Sequence, residues 1–172
     1  MPTTRREQLL YATLGFTFGL FLIGLQPLRA QDDCKLVLDA MTKLFDNPTH
    51  AYFTMNLAGK PQTGESIYAG GLIYVKYDGK WTAGGTTKEM KDLADKNRQT
   101  NKTTCRYLKD ELVDGEMAAV YTVHEVSPRS ASDSKAWISK AKGLPLRSDI
   151  DLEDGKSHIS TRYEYGNVKP PM

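Results

Sequence analysis

The sequence predicts an α+β protein in which one or two helices pack on an antiparallel sheet of about seven or eight strands. Three observations carry this. Apolar residues recur at three- and four-residue steps in a single early segment. Nearly everything after it alternates apolar and polar, the period of a half-buried strand. Asp78-Gly79, Asp114-Gly115 and Asp154-Gly155 are two-residue hairpin signals, and tight turns make neighbouring strands antiparallel.

The helical segment is Lys35 to Asp46, with Leu36, Val37, Ala40, Met41, Leu44 and Phe45 forming one buried stripe before Asn47-Pro48 stops it. Ala51 to Leu57 reads as a strand with Phe53, Met55 and Leu57 on one face and Tyr52, Thr54 and Asn56 on the other. A longer strand is expected from Glu65 to Tyr77, with Ile67, Ile73, Val75 and Tyr77 on one side. Gly70-Gly71 in its middle reads as a bulge or bend, where a sheet can curve strongly. Lys80-Trp81 begins the return from Asp78-Gly79. Thr86 and Glu89 fit a capping box that opens a second helix, expected to be short because Asn97 to Thr104 is polar. Strands follow at Cys105 to Val113, Glu116 to Val126, Lys135 to Ser139, Leu146 to Leu152 and Ser157 to Tyr165, with a polar loop at Pro128 to Ser134. In the last strand Ile159, Thr161, Tyr163 and Tyr165 share a face.

The first thirty residues read as an export signal. Arg5 and Arg6 precede an apolar run from Leu9 to Leu25, and Ala30 supplies a small residue at the expected cut. The expected organisation is therefore 1–30 signal peptide and 31–172 a single domain in the periplasm. Retention of the segment as an anchor is the alternative, since the run is near the shortest that spans a bilayer. Arg5, Arg6, Arg29 and Glu7 leave with the signal, so the chain's net charge of +2 falls to formal neutrality. Without a run of basic residues there is no case for nucleic acid. Cys34 and Cys105 remain and reach a compartment where a disulfide persists. One bridge is expected between them, a structural staple tying the first helix to the middle of the sheet, because no C-x-x-C spacing suggests redox work.

Catalytic chemistry has little support. His50, His124 and His158 sit in separate segments with no metal-ligand spacing and read as solvated strand or loop residues, so neither a metal nor a cofactor is expected. No serine occupies a Gly-x-Ser-x-Gly turn, and no phosphate-cradling glycine motif occurs. Asp78, Asp114 and Asp154 are turn residues. Arg147 and Arg162 are expected to pair with Glu164 or Asp149 across a hairpin. An envelope hydrolase would need a cleft in which His124 or His158 meets a carboxylate. What stands out instead is apolar content on both faces of the strand around Leu72 to Tyr77. Either the sheet curls round its own helices and both faces are core, or one face receives a ligand or another chain.

An amphipathic helix ending in Asn47-Pro48, long strands meeting at Asp-Gly turns such as Val113-Asp114-Gly115, and the segment Trp137-Ile138-Ser139-Lys140-Ala141-Lys142-Gly143-Leu144-Pro145-Leu146-Arg147 resemble the periplasmic lipoprotein-carrier superfamily, the LolA-like proteins. The resemblance spans most of residues 34–172. It implies an incomplete antiparallel barrel whose concave side is apolar and lidded by helices, and a non-catalytic role in carrying a lipid or another apolar ligand, with transient membrane contact. On that reading Phe53, Met55, Leu57, Ile73, Val75, Trp137, Ile150 and Tyr163 line the cavity. The alternative is an envelope module that binds a protein partner through an apolar sheet face or edge.

Overall fold

Two helices and nine strands occupy the described residues of the computed structural model, 27–171 apart from 58 and 154. The cationic end and apolar run of the expected export signal lie outside them. Helix α1 (Pro27–Lys43) passes into a 3₁₀ turn (Leu44–Asp46), followed by β1 (Thr49–Leu57), β2 (Lys60–Ala69), β3 (Leu72–Tyr77), β4 (Lys80–Thr86), α2 (Thr87–Thr100), β5 (Lys102–Val113), β6 (Glu116–Val126), β7 (Ala131–Ser139), β8 (Pro145–Leu152) and β9 (His158–Tyr165). The strands form one antiparallel sheet in the order β4-β3-β2-β1-β9-β8-β7-β6-β5. It is curved and unclosed, the incomplete barrel expected from the sequence, and α2 connects the strands at its two free edges. Among the described residues no helix is long and apolar enough to cross a membrane.

Local chemistry explains most boundaries. Asp78 and Gly79 adopt φ values of +48° and +77°, and Asp114 and Gly115 +49° and +83°, the left-handed pair that a two-residue hairpin requires. Thr86 caps α2: its side chain accepts from the Glu89 amide while the Glu89 carboxylate accepts from the Thr86 amide.

Several expectations change. Gly70 and Gly71 are not a bulge inside one strand. Their φ values of +62° and +79° make a tight turn between β2 and β3, so Tyr68 faces Ile73 directly and Ile67 moves to the face opposite Ile73. The second helix continues to Thr100, into the polar stretch expected to end it, and Arg98 reaches Asp39 at 2.8 Å and Thr42 at 3.1 Å on α1, which holds the last turn in place. Strand β7 begins at Ala131, since Ser132, Asp133 and Ser134 complete ladders with β6 and β8 despite their polarity. The Cys34–Cys105 bridge forms, with Cα atoms 4.9 Å apart, but it ties α1 to the edge strand β5 rather than to the middle of the sheet.

Helix α1 defines an inner face. Val37 and Ala40 pack against Cys105, Tyr121, Val123, Ala136 and Ile138 of β5, β6 and β7. Ala136 lets the helix approach closely, and each larger buried side chain contributes roughly 1.5–3 kcal/mol. On the outer face Ala118, Val120, Trp137 and Leu146 make a second, smaller cluster.

Candidate apolar binding face

The ladders decide which side chains share a face, because residues directly opposite on neighbouring strands point the same way. On β1, Ala51, Phe53 and Met55 stand opposite Tyr163, Thr161 and Ile159 of β9. On the other flank of β1, Phe53, Met55 and Leu57 stand opposite Gly64, Gln62 and Lys60 of β2. Val75 lies across Ser66, Ile73 across Tyr68, and Ile150 across both Ile159 and Ser134. Since Ser134 is two residues from Ala136, which touches α1, all of these belong to the inner face.

Seven of the eight residues expected to line a cavity are thereby brought to one surface: Phe53, Met55, Leu57, Ile73, Val75, Ile150 and Tyr163. Trp137 is not among them. It alternates with Ala136 and Ile138, so its indole packs on the outer face with Ala118, Val120 and Leu146, and the Arg147 guanidinium lies 4.9 Å from its ring centre.

Helix and turn cover this surface unevenly. At one end Phe45 of the 3₁₀ turn meets Tyr68 edge-on at 5.6 Å, and Ile73 is buried. The Tyr163 hydroxyl pairs with Ser148 Oγ at 3.1 Å, and loss of water around it pushes its pKa up to about 12. Toward the β1–β2 and β3–β4 turns the cover thins. Phe53, Met55, Val75, Ile150 and Ile159 are only half-buried, while Leu57 is 37% and Tyr77 47% exposed. The Phe53 and Tyr77 rings meet at 5.8 Å over Gly64, which has no side chain to separate them. Ile159 and Tyr77 complete the surface. Both were already visible in the alternation of their strands, and only the ladder register shows that they join Met55 and Phe53. On α2, Met90 and Leu93 remain 38% and 48% exposed.

Away from the Trp137 cluster the outer face carries many charged side chains, and most of these are engaged. An open depression of about 670 Å³ is lined by Tyr52, Thr54, Glu65, Lys76, Asp78 and Arg162 among others. Glu65 accepts from Lys76 at 2.9 Å and contacts His50 at 2.8 Å, and first the Lys76 bond, then the His50 bond, holds its pKa below the ordinary value. His50 is therefore not a solvated histidine: it stacks on Tyr52 at 4.1 Å, and the Arg162 guanidinium lies 4.9 Å from the centre of that same Tyr52 ring. Arg147 and Arg162 stand directly opposite one another across β8 and β9. Each takes its carboxylate from two residues further along its own strand, Asp149 and Glu164, both at 2.8 Å, rather than from across the hairpin.

A second depression, of about 460 Å³, holds a row across four strands: His124, Asp133, Asp151 and His158. His124 Nδ1 is 2.8 Å from Asp133 and His158 Nδ1 is 2.7 Å from Asp151. Both histidines thus meet a carboxylate, but no hydroxyl among the described residues is hydrogen-bonded to either ring, and the four side chains are 47–77% exposed. Among the described residues no group of three donors is placed to hold a metal ion.

No protein-family model matches the sequence, and no curated protein matches it. Among solved structures the chain is similar to the lipoprotein LppX of Mycobacterium tuberculosis, with 18% identity, 80% of this chain and 97% of that chain covered, and a TM-score of 0.47. It is also similar to LprF of Mycobacterium bovis, with 12% identity, 83% and 98% covered, and a TM-score of 0.48. A third similarity is to the MucA/MucB complex structure of Pseudomonas aeruginosa, with 17% identity, 83% of this chain and 59% of that chain covered, and a TM-score of 0.47. The fold class read from the sequence, α+β with a curved, open antiparallel sheet, is the one the structure has.

Proposed function

We propose that this protein is a non-catalytic binding or carrier protein for a lipid or another apolar ligand, working in the periplasm after its first thirty residues have been removed. One observation carries the reading: the inner face leaves Phe53, Met55, Leu57, Val75, Tyr77 and Ile159 only partly covered, an apolar surface of β9, β1 and β3 joined across Gly64 of β2, where the Phe53 and Tyr77 rings meet. An acyl chain laid on it gains about 0.8 kcal/mol per buried methylene. Part of that gain is lost to the freedom given up on binding. Native mass spectrometry and lipid extraction of protein recovered from the periplasm, with titration of a dansyl-labelled fatty acid, test the reading. Bound lipid and saturable uptake are expected, and Met55→Glu, which sets a charge on the surface, weakens uptake. A protein that is empty and takes up no probe sinks the proposal.

The alternative is an envelope interaction module. It draws support from the free edge β5 and its hairpin with β6, where Leu108 is 43%, Leu112 64% and Met117 47% exposed, and Leu112 stands directly opposite Met117. A photo-crosslinker at Leu112 that captures only lipid in intact cells, and never a protein, counts against it.

A further inference from the structure

Two lysines share the inner face with the apolar surface. Lys60 stands opposite Leu57 at the end of the β1–β2 ladder, and Lys80 stands opposite Tyr77 at the end of the β3–β4 ladder, so both take the face of their partners. Both are exposed, and neither has a carboxylate or hydrogen-bond partner among the described residues. The other strand lysines differ. Lys76, Lys102, Lys109 and Lys135 have outer-face register, and Lys76 and Lys109 are paired with Glu65 and Glu111.

Nearby carboxylates are occupied elsewhere: Glu65 by Lys76 and His50, Asp149 by Arg147 and Ser160, Asp151 by His158, and Glu153 by the Ala131 amide. Asp78 belongs to the β3–β4 turn and lines the outer depression. Among the described residues these two cations are thus left without an ion-pair partner at the corner where the apolar cover ends. In the ladder register Lys80 is level with Gly64 and Phe53, four residues short of Lys60, with two strand spacings between them. Their Cα atoms are on the order of 16 Å apart. Two extended lysine side chains can close that gap around a single anion.

We infer that the ligand is an anionic amphiphile, its chain lying on Phe53, Met55 and Val75 and its negatively charged head held at the open corner between Lys60 and Lys80. The inference rests on the binding role proposed above and names the ligand class. A carboxylate or a phosphodiester head presents the same chemistry, a compact anion on a flexible apolar chain.

The test is a fluorescence titration of the full mature chain with dansyl-labelled undecanoic acid and with its methyl ester, for wild type and for Lys60→Gln/Lys80→Gln. The expected result is that the wild type prefers the acid, that the double variant weakens acid binding about tenfold, as two exposed ion pairs allow, and that ester binding is unchanged. Added salt should weaken the acid alone. Displacement of the probe by laurate against methyl laurate, and by lysophosphatidylglycerol against lysophosphatidylcholine, separates the two head chemistries. Preference for the charged member of at least one pair is expected. If acid and ester bind alike and the double variant changes neither, the inference is overturned while the binding role stands. A double variant that weakens acid and ester equally also overturns it. If neither probe binds, the binding role itself falls and the inference with it.

Discussion

Phe53 lies across Gly64: a Cβ built on the glycine would stand 2.3 Å from Phe53 Cζ and 2.5 Å from Cε2. Unbonded carbon atoms do not approach so closely, so the ring and the bare backbone form one unit, with Tyr77 closing the far side at 5.8 Å. Gly64→Ala therefore forces the ring out of place. Overpacking costs roughly 1–3 kcal/mol, and the gain of about 0.4–1 kcal/mol from a stiffer unfolded chain offsets only part of it. Urea denaturation should show the loss, and it should shrink when the same change is made in Phe53→Ala, because the clash is then gone.

The bridge from Cys34 to Cys105 closes a loop of 71 positions onto an edge strand. In the chain-entropy account such a loop is worth about 4 kcal/mol. Cys34→Ser/Cys105→Ser should lower the urea midpoint accordingly, and reductant should do the same to wild type while leaving the variant unchanged. Helix α1 keeps its packing through Val37 and Ala40 and the bond from Lys43 Nζ to the Lys142 carbonyl at 2.8 Å. Its amides should nevertheless become the first to exchange with solvent.

Glu65 links stability to pH. Its carboxylate bonds to Lys76 and His50 hold its folded pKa below the ordinary 4.5. A carboxyl with a depressed folded pKa contributes stability that is present above its unfolded value and is lost as pH falls through the folded value. Glu65→Gln should therefore cost on the order of 1 kcal/mol at neutral pH. The two proteins should converge in stability as the pH falls below the ordinary 4.5 and through the lowered folded value, read by thermal melts across a pH series.

Trp137 separates core from the proposed binding surface. Its side chain is 7% exposed and packs on the outer face. Trp137→Ala should cost about 3–5 kcal/mol in stability while leaving the affinity for a dansyl-labelled fatty acid unchanged under conditions where the variant is folded. A loss of affinity without a loss of stability would place the indole in the binding surface after all.

Local rules made much of this fold legible. A left-handed pair of residues forms a hairpin from its own backbone preferences, which is why Asp78-Gly79 and Asp114-Gly115 could be read directly, and Thr86 with Glu89 announces a helix start within four residues. Gly70-Gly71 carried the same permissive chemistry, yet two glycines serve a bulge as readily as a turn. The choice followed from Tyr68 pairing with Ile73 across the ladder.

By itself the sequence determined the element types, the antiparallel class, the alternation that groups Phe53 with Met55 and Leu57, and the one cysteine pair available to bridge. Tertiary structure alone decided that β9 lies beside β1, that β4 and β5 are the free edges, and that Trp137 parts from the other apolar candidates. The physical reason is range. Alternation says which residues within a strand share a face, but which face is inner depends on where α1 docks. Irregular pairing, such as that between Trp137 and Ile138, puts Leu146 with Trp137 while Ile150 stays across from Ile159. Lys60 and Lys80 come to one corner only because separate hairpins end there, a coincidence of long-range register that no local pattern encodes.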